Sequence, residues 1–269
     1  MFGARILGRA AREGKHFFVC IAPAARHNLP VIGAFLNALG ILLGALFGLA
    51  GRSGLSARAQ ARLKSALGAF LAFCGLQLLW QNVSGNFSSV LKQLFLALLA
   101  VVLGHLLGRL LALQKMSNLL GRHAAQLLAR GETAAGRPVD GLVAATMLFC
   151  AAPLGLLGAV TDGLADYFFP FALKAVMDGL ATLSFVRLFR WPVALAAVPV
   201  FLWFNGLTLA VHALARPWLA AHHGLAAVNL AAGLVICATA LVVLEVRRVE
   251  LANYLPALVL APLLTRWLG

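Results

Sequence analysis

Apolar residues in this chain fall into runs near the twenty-residue length that crosses a bilayer, separated by short polar breaks. The runs cover about 30–50, 65–80, 90–113, 141–160, 169–189, 191–213, 225–244 and 251–268. They predict an all-α polytopic transmembrane helix bundle of about 7–8 spans, because the last run is short and carries Pro256 and Pro262. Full crossing and re-entry are both open for it. Between the third and fourth runs, about 114–140 is polar, and Leu119, Leu120, Leu127 and Leu128 recur in it at helical spacing. An amphipathic connector on the cytoplasmic membrane surface, ending near Gly131, is expected there. Residues 1–28 stand apart, with Arg5, Arg9, Arg12, Lys15 and Arg26 around an apolar patch too short to span. They read as a basic extension to a transmembrane domain over 29–269: a surface-lying segment, or residues upstream of the native start. A signal peptide fits less well, because charge and proline interrupt the apolar core.

Several runs carry helix breakers. The fourth has Pro153 followed by Gly155 and Gly158, which predicts a break or kink. The sixth has Pro199 and then Asn205-Gly206 near its middle, so kinking or local unwinding is expected there too. Pro170 suits the first turn of the fifth helix. Gly40, Gly44 and Gly48 line one face of the first helix, and Gly104 and Gly108 line one face of the third. Faces of small residues let another helix approach closely, since lipid supplies no hydrophobic drive for association. Asn37 lies on nearly the same face as Gly44, where an interhelical hydrogen bond is its simplest role.

Composition removes the soluble alternatives. The chain is 62% hydrophobic and 11% charged, against about a quarter charged in soluble domains. The net charge of +14 is therefore a topology signal, and nucleic acid is not an expected partner. With eight crossings, thirteen basic residues fall in one set of loops, including Arg58, Lys64, Arg122, Arg187 and Arg247. Leaving out residues 1–28, only Lys92, Arg216 and Arg266 fall in the other set, which marks the first side as cytoplasmic. The five basic residues of the N-terminal extension conflict with that assignment. Cys20, Cys74, Cys150 and Cys237 form no C-x-x-C pair and predict neither a metal nor a cofactor. No H-E-x-x-H or G-x-S-x-G motif points to an enzyme, so none is expected. The expected partners are the lipid bilayer and a small solute or ion, and the glycine faces also permit a homo-oligomer.

Charge inside the apolar runs is concentrated between residues 162 and 178. Lys174 and Asp178 are four apart on one face of the fifth helix. Counted from Pro170, Asp178 lies about 12 Å into the span. Groups at that depth face a bundle interior or a wet cavity and often mark ion or proton pathways, although a self-neutralising structural pair fits equally. Asp162 is ordinary if the fourth helix runs straight. If it breaks, Asp162 moves deeper and can approach Lys174 or Asp178, with Asn205 and Thr208 as neutral ligands. Asp166 reads as an N-terminal cap for the fifth helix. Paired broken spans point to a transporter site. The expected function is transport or conduction of a small solute, cation or proton. A non-transporting structural or partner-binding protein is the alternative, and a membrane enzyme stands below both.

The stretches GAFLNALGILLGALFG, TMLFCAAPLGLLGAVTDGL, LKAVMDGLATL, VFLWFNGLTL and NYLPALVLAPLL occur in consistent order over about 29–265. In these the sequence resembles the domain-of-unknown-function 554 family, bacterial inner-membrane proteins of the YqgA/YdfK type. The resemblance implies a multi-pass inner-membrane protein from a family described in terms of transport, without a settled activity. It also implies that Asn37, Asp162, Lys174 and Asp178 belong to the family pattern. Asn205-Gly206 stands where that pattern tends to have Gln-Gly.

Overall fold

The computed structural model describes residues 32–51, 56–131 and 138–268. The basic extension falls outside them. Every regular element among the described residues is helical. Helix α1 is Ile32–Leu49, α2 Ala57–Asn82, α3 Phe87–Leu110 and α4 Leu113–Gly131. Then come α5 Pro138–Ala151, α6 Pro153–Ala165 and α7 Phe169–Phe189. A 3-10 turn at Trp191–Ala196 leads into α8 Ala197–Ala210, a π-turn Val211–Ala215 and α9 Arg216–Ala221. The chain closes with α10 Leu225–Val243, a 3-10 turn Leu251–Tyr254 and α11 Ala257–Leu268. Among the described residues seven segments are long and apolar enough to cross a membrane, and the bent pair α5–α6 makes an eighth when counted as one span.

Local chemistry explains most boundaries. The basic stretch before the second apolar run is already helical from Ala57, since Ala, Arg, Gln, Leu and Lys are strong helix formers. Ser56 caps it by accepting from the Ala59 N–H, and Asn86 caps α3 by accepting from the Ser89 N–H at 3.0 Å. The amphipathic connector is α4, with Ala124 and Leu127 buried while Leu119 and Leu120 are exposed. It is tied down where the Gln114 N–H donates to Asn253 Oδ1 and Gln114 Oε1 accepts from the Ala252 N–H.

Close contacts fix the relative direction of the helices within three pairs. Along α1, Gly40, Gly44 and Gly48 lie against the backbone of Ala175, Gly179 and Leu183 in turn, so α1 and α7 run parallel. Along α2, Gly68 meets Leu244 and Gly75 meets Gly233 and Cys237, so α2 and α10 are antiparallel. The α2–α10 pair is closed by Lys64–Glu245 at one end and by Asn229 donating to Asn82 at the other. Gly104 packs on Ala257 and Gly108 on the Asn253 carbonyl, which sets α3 antiparallel to α11. The last run is long and apolar enough to cross and extends from one end of α10 toward the other. Asn253 lies beside Gly108 at one end, and Pro262 beside Gly224 approaches the other. These pairings gather the arginine-rich loops at one end, hereafter the basic end.

Two large apolar cores result, with a small third cluster of Ala124, Leu127 and Ala144 between α4 and α5. One joins α1, α5, α7 and α8 through Ile41, Phe149, Phe171, Phe189 and Phe204. The other joins α2, α3, α10 and α11 through Leu71, Leu78, Val235, Ile236 and Leu258, and draws in α6 through Leu154 and Leu157.

Candidate functional site: a buried ion pair between interrupted spans

The fourth span breaks at Ala152–Pro153 with a bend of 56°. Proline has no N–H to donate to the preceding turn, so α5 stops and α6 restarts with Pro153 in its first turn. The sixth span is interrupted as well, but not at Asn205-Gly206. Those residues lie in regular α-helix, and Pro199 falls in the first turn of α8, where its missing N–H breaks no bond. The irregular stretches are the 3-10 turn before α8 and the π-turn after it. Expected kinking at mid-span is therefore displaced to both ends of α8. The two interrupted spans touch each other, with Gly163 of α6 against the Thr208 carbonyl of α8 and Val211 of the π-turn.

Lys174 and Asp178 form an ion pair on α7, within one turn of each other. Lys174 is 2% exposed and Asp178 8%. The Lys174 ammonium lies 5.6 Å from the Phe149 ring centroid and 5.3 Å from that of Phe204, an aromatic cover that attracts a desolvated cation. Gly155 makes room for the lysine: a Cβ there would come within 2.8 Å of Lys174 Cε and overlap Phe204. Thr182 donates to the Asp178 carbonyl at 2.7 Å. Asn37 of α1 is fully buried and close to the Asp178 carboxylate. Its geometry falls outside a formed hydrogen bond, and neither Nδ2 nor Oδ1 has a partner.

The bend carries Asp162 to a different destination. Asp162 is 2% exposed, and its Oδ2 accepts from the Gly33 N–H at 3.2 Å. Gly33 is in the first turn of α1, so Asp162 caps that helix from 129 residues away and meets the positive end of its dipole. A Cβ on Gly33 would lie 2.5 Å from the carboxylate oxygen. Lys174 takes Asp178 as its partner, so the three charges form two separate pairings, both touching α1. Thr208 is buried and Asn205 half-buried. Thr208 Oγ1 and Asn205 Oδ1 are without hydrogen-bond partners.

Asp166 does not cap α7, whose N-cap is Phe168. It closes α6 instead, with a left-handed φ of 53° and its N–H donated to the Asp162 carbonyl at 3.0 Å. Asp tolerates that conformation better than most non-glycine residues. The Asp166 carboxylate pairs with Arg216 at 3.3 Å. The Arg216 side chain also lies 3.1 Å from His212 Nδ1. His105 of α3 stacks on Tyr254 with ring centroids 4.6 Å apart.

Sequence reasoning missed Gly33, Phe149 and Phe204. Gly33 was legible as the first member of a small-and-polar stripe continuing through Asn37, Gly40, Gly44 and Gly48. The two phenylalanines carried no signal, since phenylalanine in an apolar run is unremarked.

Discontinuous spans around a buried ion pair, in an all-helical bundle of apolar helices, define a polytopic membrane protein. Its ion pair comes from one helix, and the buried Asp162 of the broken span beside it caps another. By sequence, the chain belongs to the family described as Protein of unknown function (DUF554), whose model matches residues 32–266. It is 29% identical over 240 residues to the uncharacterized protein YqgA of Escherichia coli strain K12, covering 88% of this chain and 97% of that one. It is 23% identical over 234 residues to the uncharacterized membrane protein YdfK of Bacillus subtilis strain 168, covering 86% and 94%. No solved structure matches the chain.

Proposed function

We propose that the protein carries a small solute or ion, with a cation or proton the best chemical match, across the bacterial inner membrane. Passage would run past the Lys174–Asp178 pair. One observation carries this reading: a buried ion pair near mid-span is bordered by two interrupted spans. Ionisable groups there are costly, and discontinuous helices are the usual frame of a transporter site. The conformation described is closed, since Phe149 and Phe204 cover the lysine. Asn37, Asn205 and Thr208 each bury a polar atom without a partner, at about 1–3 kcal/mol apiece. Water or solute entering between the two cores would satisfy them. Asp162 serves this reading by holding the broken span to α1 and is not itself a ligand. By the distribution of arginine and lysine, the basic end faces the cytoplasm.

Reconstitution into liposomes loaded in turn with protons, sodium, potassium and magnesium tests the proposal. Flux that Asp178→Asn abolishes, with expression and oligomeric state intact, supports it. Absence of flux for every ion and for common small metabolites overturns it. The second reading is a structural membrane protein in which the pair only locks α7 in place. It is favoured by the pair's self-neutralisation within one helix turn, and it predicts that Asp178→Asn harms folding first.

A further inference from the structure

At the basic end, a cavity of about 410 Å³ opens between α2, α7 and α10, on the seam between the two cores. Its body is apolar, formed by Leu63, Leu67, Met177, Leu180 and Val242. Lys64, Glu245 and Ser184 stand at its mouth. From Ser184 to Met177 it follows seven residues of α7, about 10 Å of helix. Of the α7 residues lining it, Met177, Leu180, Ala181 and Ser184 face away from α1 while Leu183 also meets Gly48, and neither Lys174 nor Asp178 lines it, so the cavity is separate from the ion pair.

We infer that this slot binds one acyl chain of an anionic phospholipid, with the headgroup phosphate at the basic mouth. The lining is polar only at one end, which matches an amphiphile and leaves a water-soluble solute without partners below the mouth. The charge around the mouth is one-sided. Helix α2 begins with exposed Arg58 and Arg62, and exposed Arg247 and Arg248 follow α10. Against these four arginines and Lys64 stand Glu245, already paired with Lys64, and Glu250 two residues past Arg248, so the balance is positive. Basic pockets between spans at a membrane interface are suited to anionic headgroups. A chain lodged here would fill the seam between the two helix sets and support the side of α7 opposite its α1 contact.

Lipid retention by the full chain, purified in neutral detergent and measured by native mass spectrometry, tests the inference. The probes are phosphatidylglycerol and phosphatidylcholine with identical chains. Wild type should retain phosphatidylglycerol about tenfold more strongly, and the Arg247→Gln, Arg248→Gln double variant should bring it near the phosphatidylcholine level. Ala181→Trp, which fills the slot, should abolish retention of both lipids. Met177→Trp makes the same test from the deeper end if the first variant does not fold. Equal retention of the two lipids by wild type overturns the headgroup assignment. Undiminished phosphatidylglycerol retention in a folded, slot-filled variant overturns the acyl-chain site.

Discussion

A lysine and an aspartate sealed inside an apolar bundle persist because each is the other's counter-ion. Removing one partner leaves a buried charge uncompensated, while replacing both with apolar residues of similar size is close to neutral. Lys174→Met should therefore lower stability in detergent by about 3–5 kcal/mol, read as a large fall in melting temperature. The Lys174→Met, Asp178→Leu double variant should recover most of that loss, and a fully additive double-mutant cycle would contradict the pairing. Asp162→Ala removes a cap and its favourable dipole contact, and should lower stability by about 1–2 kcal/mol. Asp162→Asn keeps an acceptor and should lose less. The Lys174–Asp178 pairing was legible in the sequence, because four residues of separation on a helix fixes a shared face. The role of Asp162 was not. Its partner is a backbone N–H, which leaves no mark in the sequence, and 129 residues separate the two.

Among the helices, glycine faces set which elements touch. Gly44 lies on the backbone of Gly179, which no rotamer change can relieve. Gly44→Leu should separate α1 from α7 and destabilise by about 3 kcal/mol or more, whereas Gly206→Leu should be tolerated because nothing lies within 4 Å of that position. Thermal melts of the two variants side by side check this. Helix α2 and α10 are also clasped at the basic end by Lys64 and Glu245, 2.5 Å apart. The lysine holds the Glu245 carboxyl below its usual range, chiefly through their hydrogen bond. That small contribution is present at neutral pH and is lost as pH falls through the depressed value. At this scale the sequence was a mixed guide. Pro153 identified a real break because proline removes a hydrogen bond wherever it falls past the first turn. Pro199 and Asn205-Gly206 did not, because a 3-10 turn ahead of α8 puts the proline in a first turn, while Gly206 is exposed within a regular helix. Asp166 was misplaced by one helix end: the chain turns through it with a left-handed φ before Phe168 begins α7.

At the scale of the whole molecule, an all-helical bundle with seven candidate spans, or eight with the bent pair counted as one, followed from the spacing of the apolar runs. The partnering of spans did not follow. First with fifth, second with seventh and third with eighth are matched by glycines meeting backbone, and glycine on one helix does not specify its partner. Orientation is directly testable. Single cysteines replacing Arg248 and His223, at opposite ends of α10, should be labelled by an impermeant thiol reagent from opposite sides, with residue 248 reached only from the cytoplasm. Labelling of both from one side would contradict the alternation. The central claim is that the Lys174–Asp178 pair serves passage through the bundle and is not needed merely to hold it together. Flux measured in liposomes with the Lys174→Met, Asp178→Leu double variant separates those roles, using the same proton and cation series as for wild type. The account predicts a variant that folds and melts close to wild type yet carries no flux. Wild-type flux through that variant would contradict it.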